Sequence, residues 1–218
     1  MAIETHILDA NRKLARHTSQ LLTIAPLAAR KAAELLNADG IDVSISPFKP
    51  GDAPASGIGG YSFSPYRIEL LLDSEREDLS EVIARELPAV LGHEMHHCVR
   101  SLSNPNPLTL GECITTEGLA THFELQMNGG ELPSLFNSFP DVHWRELLEK
   151  AQPLLEEKVF SFTDWFLGTD PERLPKYTGY LIGFKAVSHY KISKQYSDLE
   201  MMNLTADELF KCMKVDFV

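Results

Sequence analysis

Leu87-Pro88-Ala89-Val90-Leu91-Gly92-His93-Glu94-Met95-His96-His97-Cys98-Val99-Arg100 carries the pattern H-E-x-x-H at 93–97. On a helix, residues four apart project from one face, so His93 and His97 can grip a single metal ion. Glu94 then stands beside the water such an ion would carry. A catalytic zinc takes three protein ligands and keeps one position open, so another residue must complete the set. Glu117 is the candidate. The residues 98 to 116 separate it from His97, enough for one helix to end, a loop to turn and a second helix to return.

The competing reading is a polar surface helix whose histidines fall at this spacing by accident. Two neighbouring stretches argue against it. Leu87 to Gly92 is apolar or small, so the motif follows a segment expected to be buried. Glu117 lies in Ile114-Thr115-Thr116-Glu117-Gly118-Leu119-Ala120, again almost uncharged. Buried histidines and carboxylates are costly unless they are paired or hold a metal.

Several nearby residues are set aside as ligands. His96 points away from the axis joining His93 and His97, and packing or holding a carboxylate suits it better. Cys98 is adjacent to His97 and therefore about 100° away around the helix. His122, five residues past Glu117, is turned by roughly 140°. A three-histidine pattern, H-E-x-x-H-x-x-G-x-x-H, fails because Arg100 and Ser103 occupy its glycine and third-histidine positions. Arg100 is expected to pair with an acidic residue or to complement the helix end.

The 218 residues suffice for one domain with a substantial core, with residues 1–40 as an N-terminal helical segment packed on it. A net charge of −11 argues against nucleic acid as a partner, since phosphate backbones need a basic face. There is no basic, apolar leader at the N-terminus and no apolar run long enough to span a bilayer, so no membrane partner is expected. The three cysteines, Cys98, Cys113 and Cys212, form no C-x-x-C pair and suit a reducing cytoplasm.

Along the chain, residues 4–36 read as helix in two pieces with a break near Thr23 and Pro26, and Asn37-Ala38-Asp39-Gly40 is a stop. Ile41-Asp42-Val43-Ser44-Ile45 alternates with period two and reads as a strand, as does Tyr66 to Leu72. Between them, Pro50 to Gly60 is a loop rich in glycine, proline and alanine, and Gly57-Ile58-Gly59-Gly60-Tyr61 permits backbone geometries closed to other residues and close approach of another chain. Helix is expected over Leu79–Arg100, with a possible bend at Pro88, ended by Asn104-Pro105-Asn106-Pro107. Thr109-Leu110-Gly111-Glu112 is a capping box opening the helix that carries Glu117, with Gly129 near its end. Helices follow over Val142–Glu157 and Gly179–Gln195, with a short apolar piece at Trp165 and Phe166 between them. A second capping box, Thr205 to Glu208, opens the last helix.

The helix His93-Glu94-Met95-His96-His97-Cys98-Val99-Arg100, the helix bearing Glu117-Gly118-Leu119-Ala120, and the segment Gly179-Tyr180-Leu181-Ile182-Gly183-Phe184 together resemble a bacterial family of predicted zinc-dependent proteases. The resemblance covers roughly residues 40 to 215. By ligand type it implies a gluzincin: two histidines and a glutamate on zinc, with Glu94 as general base. It also implies an α+β, zincin-like metalloprotease fold, mostly helical, with a small sheet bordering the cleft.

In such folds the bordering strand takes an extended peptide by adding it to the sheet, and residues 58–72 would supply that strand here. An ordinary hairpin with a glycine-rich loop is the alternative for that segment. Tyr180, placed in the G-Y-x-x-G segment, is the first choice to hydrogen-bond the oxyanion, with Tyr177 and His189 in reserve. A core tyrosine is the other reading of Tyr180.

One departure stands out. Thermolysin-like enzymes carry an acidic residue four positions after the glutamate ligand, and here that position is Thr121. The partner of the histidine ring N–H must then be Glu124, Glu112 or a backbone carbonyl. The expected function is a zinc metallopeptidase acting on a peptide or protein. The alternatives are a zinc amidohydrolase with a non-peptide substrate, or a metal-holding binding module without peptidase activity.

Overall fold

The computed structural model describes residues 2–104, 107–132, 134–138 and 143–215. By their contacts they fall into two compact units, Met1–Ser103 with Phe123–Ser134, and Asn104–His122 with Leu135–Val218.

The first unit holds a four-stranded sheet in the order β1-β2-β4-β3, built from β1 (Ile3–Ile7), β2 (Ile41–Pro47), β3 (Ile58–Ser64) and β4 (Arg67–Leu72). β1, β2 and β4 are parallel, while β3 runs antiparallel to β4 and forms one edge. Ile41, Val43 and Ile45 of β2 and Ile68, Leu70 and Leu72 of β4 are buried, as the period-two pattern of a half-covered sheet requires. Among the described residues, α1 (Thr18–Leu36), α2 (Leu79–Arg85) and α3 (Leu87–Ser101) lie wholly in this unit.

The start of the chain corrects the expected pair of N-terminal helices. Ile3-Glu4-Thr5-His6-Ile7 is a strand, pairing Ile3 with Ile41 and Ile7 with Ile45. Its β-branched residues recur with period two, which suits a pleated edge better than a helical stripe. Helix begins only at Thr18, and Pro26 does not interrupt it. Buried Leu21, Ala25, Ala28, Ala29, Ala32 and Ala33 hold α1 to the core, so packing overrides the single missing N–H. The stop at Asn37 holds: its φ of 53° is left-handed and its N–H reaches Ala33 O.

The expected helix over Leu79–Arg100 is two helices meeting at Glu86. Pro88 sits in the first turn of α3, where a missing N–H leaves no bond unmade. α3 buries nearly its whole circumference, including His93, Glu94, His96 and Arg100. Gly92 lets it pass close to the end of the next helix, since a Cβ there would lie 2.5 Å from Met127 Cγ.

The second unit is helical. α4 (Leu110–Met127) starts in it and ends in the first unit as one uninterrupted helix. Its capping box is formed: Glu112 N–H donates to Thr109 Oγ1 at 3.2 Å, and Thr109 N–H donates back to the Glu112 carboxylate at 2.9 Å. α5 (Trp144–Ala151), α6 (Thr178–Lys194) and α7 (Ala206–Val215) follow. The expected segment Val142–Glu157 thus ends its α-helix at Ala151 and tightens into a 3-10 turn over Gln152–Leu154. Val142, Pro105 and Asn106 lie outside the described residues. The second box, Thr205 with Glu208, caps α7 as expected.

α4 and α6 cross at two glycines. A Cβ on Gly118 would meet Gly183 C and O at 2.5 Å, and one on Gly183 would meet Ile114 O at 2.3 Å. Gly179, one turn before Gly183, faces Phe166, whose ring atoms would stand 2.4 Å from any Cβ. The glycines of G-Y-x-x-G are therefore packing positions, and the four-residue spacing is one helical turn.

Candidate metal centre

His93 and His97 occupy consecutive turns of α3, with ring centroids 4.7 Å apart and planes nearly perpendicular. Their Nε2 atoms approach to 3.1 Å. Two nitrogens bound to one tetrahedral zinc at about 2.0–2.1 Å would stand roughly 3.3 Å apart, so the pair fits one ion. Among the described residues, His93, His97 and Glu117 form a group that could hold a metal: one ligand atom from each lies within 4.8 Å of the others.

The tautomer of His93 agrees with ligation. Its Nδ1 lies 3.2 Å from Glu124 Oε2, and both side chains are buried. A carboxylate accepts, so Nδ1 carries the proton and Nε2 keeps its lone pair. Of the three acceptors open from sequence, Glu124 is the one this ring meets. Glu112 is engaged at its own helix start, accepting from Leu108 N–H at 2.7 Å as well as from Thr109. Thr121 turns inward, its hydroxyl donating to Glu117 O at 2.7 Å.

Glu94 is buried on the same helix, against β3. A Cβ on Gly60 would fall 2.4 Å from Glu94 Cγ and 2.7 Å from Oε1. The carboxylate therefore rests where any other residue at 60 would place its side chain, and Glu94 is the group whose close approach this glycine segment permits. Gly60→Ala is expected to destabilise the protein by about 1–3 kcal/mol through overpacking. That penalty should vanish when Glu94 is also cut to alanine, because the clash is with Glu94. Thermal unfolding of the two single variants and the double variant checks this, and additive effects would refute it.

The set-aside residues have other partners. His96 is buried with its ring 6.0 Å from that of Phe123. Cys98 donates its thiol proton to Ser64 O at 3.2 Å, and burial, assisted by the charge of Glu94, pushes its pKa up to about 12. It is a buried thiol, not a thiolate ligand. His122 stacks on Phe184 at 4.6 Å and bonds Phe184 O and Ser188 Oγ, and burial holds its pKa below the usual histidine range. Arg100 is buried near the end of α3.

Tyr180 lies in the first turn of α6, half-buried, its ring edge-on to Phe166 at 5.4 Å and 6.1 Å from Tyr177. Tyr177 precedes the helix in a left-handed conformation with φ of 64°, and His189 is half-buried further along α6. Sequence reasoning read close approach at the glycines 57–60 without naming Glu94 as the group that approaches Gly60, and left Glu124 among alternatives. The signal for Glu124 was present: it follows Glu117 by two helical turns and so shares its face.

A family model described as "Predicted Zn-dependent protease (DUF2268)" matches residues 23–211. No curated protein and no solved structure matches the chain. Among the described residues, no helix is long and apolar enough to cross a membrane.

Proposed function

The chain belongs to this family of predicted Zn-dependent proteases, and from that premise we propose that it is a zinc metallopeptidase of gluzincin type with a zincin-like fold. The observation that carries the reading is the group His93, His97 and Glu117, with ligand atoms within 4.8 Å of one another. These residues would hold zinc, which supplies a Lewis acid and a water acidified towards pKa ~7.

The protein's own residues do the rest. Glu124 fixes the His93 tautomer through the contact at 3.2 Å. Glu94 takes the proton from the attacking water and returns it to the leaving amine nitrogen. Its burial keeps bulk water from that proton, and Gly60 leaves the carboxylate its space. Tyr180 is assigned to hydrogen-bond the developing oxyanion, supported by its half-exposed ring and its place in the G-Y-x-x-G segment. β3, at the sheet edge and against Glu94, is the strand on which an extended peptide would pair.

The test is hydrolysis of a mixed peptide library, read by mass spectrometry before and after chelation. Cleavage should stop on metal removal and return with about one equivalent of zinc. Zinc binding without cleavage of any peptide would overturn the peptidase reading. Turnover of small amides alone would then favour an amidohydrolase, and no turnover a binding module.

A further inference from the structure

β3 presents two opposite faces, and its outer one is aromatic. Successive side chains on a strand alternate, so with Gly60 turned towards Glu94, Tyr61 points to the other side of the sheet. There Tyr61 and Phe63 meet edge to face, ring centroids 4.6 Å apart. The Arg67 guanidinium lies over Phe63 at 4.9 Å from its centroid. Despite this bracing, Tyr61 is 58% exposed and Phe63 51%. The surroundings are polar: Glu69 faces Tyr61 across the strands, and beyond it Ser46 donates to the Glu69 carboxylate. The pairing of β3 with β4 slips between Ser62 and Ser64, so Phe63 stands in a bulge, which re-aims a side chain and is common beside active sites.

We propose that Tyr61 and Phe63 form a subsite for one large apolar or aromatic side chain of an extended peptide, next in sequence to the residue beside Glu94. The inference rests on the peptidase reading above and names the class of substrate it takes. A peptide added to the outer edge of β3 alternates its side chains as β3 does. The residue paired across from Gly60 turns towards Glu94, and its neighbour, paired across from Tyr61, lands on the aromatic pair. Cross-strand aromatic pairs favour aromatic and β-branched partners. The rings already meet edge to face and Arg67 braces Phe63, so little side-chain freedom is lost on binding. The contact sits outside the catalytic face and selects without touching the reacting atoms.

The probes are serine-rich peptides identical except for Phe, Leu or Ser at one position. Their binding to zinc-loaded Glu94→Gln protein is measured by fluorescence anisotropy, and their cleavage by wild-type protein by mass spectrometry. The Phe peptide should bind about 3- to 10-fold more tightly than the Ser peptide, the range expected of one aromatic pair. Tyr61→Ser/Phe63→Ser should bring the ratio to parity, Tyr61→Trp should retain it, and cut sites should keep a fixed distance from Phe.

An unchanged ratio in the double variant, or no preference in the parent, overturns the subsite. Cleavage without preference overturns it while leaving the peptidase reading standing. A preference in binding that the double variant loses, with no peptide cleaved, supports the subsite and removes the peptidase reading. Concentration-dependent dimerisation abolished by the double variant assigns the rings to a second copy of the chain and overturns the proposal.

Discussion

On the proposed mechanism, Glu94→Gln is expected to leave the metal content at its original level and to lower peptide turnover by about 10²- to 10⁴-fold, the range for removal of a positioned general base. Glutamine keeps the volume of glutamate, so the packing against Gly60 survives and the helix carrying His93 and His97 is not disturbed. What the substitution removes is the basic carboxylate proposed to take the water's proton, since an amide oxygen is too weak a base to do so. The fall should lie in kcat with KM nearly constant, because the carboxylate acts in the transition state and adds little to ground-state binding. Metal analysis, circular dichroism and steady-state kinetics on one preparation check this. Wild-type turnover by the variant would remove Glu94 from the chemistry.

His97→Ala and Glu117→Gln act one step earlier, on the ion itself. Each removes a donor from a three-residue set, and each should purify with little zinc and without measurable hydrolysis. Glu124→Ala should fall between these and the wild type, weakening zinc about 10- to 100-fold, as loss of a partner behind a ligating histidine does. His96→Ala and Cys98→Ala should retain zinc, since the His96 ring packs near Phe123 and the Cys98 thiol meets Ser64 O. Mass spectrometry of tag-free protein gives the metal-to-chain ratio for all five. Zinc retained by both His97→Ala and Glu117→Gln would mean that other residues hold it.

The parts of the site that repeat on one helix were legible, and the parts that depend on distant packing were not. The i, i+4 spacing put His93 and His97 on one face, and Thr109 with Glu112 announced where α4 begins. The same box accounts for Glu112 and so points to Glu124 as the partner of His93, an inference the spacing alone permitted. β1 was not read because its parallel pairing lies with β2, more than thirty residues on, and five residues carry little pattern of their own. The glycines at 57–60 announced a close approach but not its partner: that comes from α3 lying against β3, which no local propensity encodes. The glycines of the G-Y-x-x-G segment were read for the tyrosine between them, while the structure uses Gly179 and Gly183 to bring helices and rings close.

The crossing of α4 and α6 at Gly118 and Gly183 has a thermal consequence. Where side chains separate two helices, rotamer changes let the backbones drift. Here backbone meets backbone, and no such cushion exists. Glu117 is the residue next to that contact, so its Cα is expected to be held near one position by α6. If Glu117 holds an ion as proposed, the part of the entropic penalty that belongs to ordering its own backbone is met in folding.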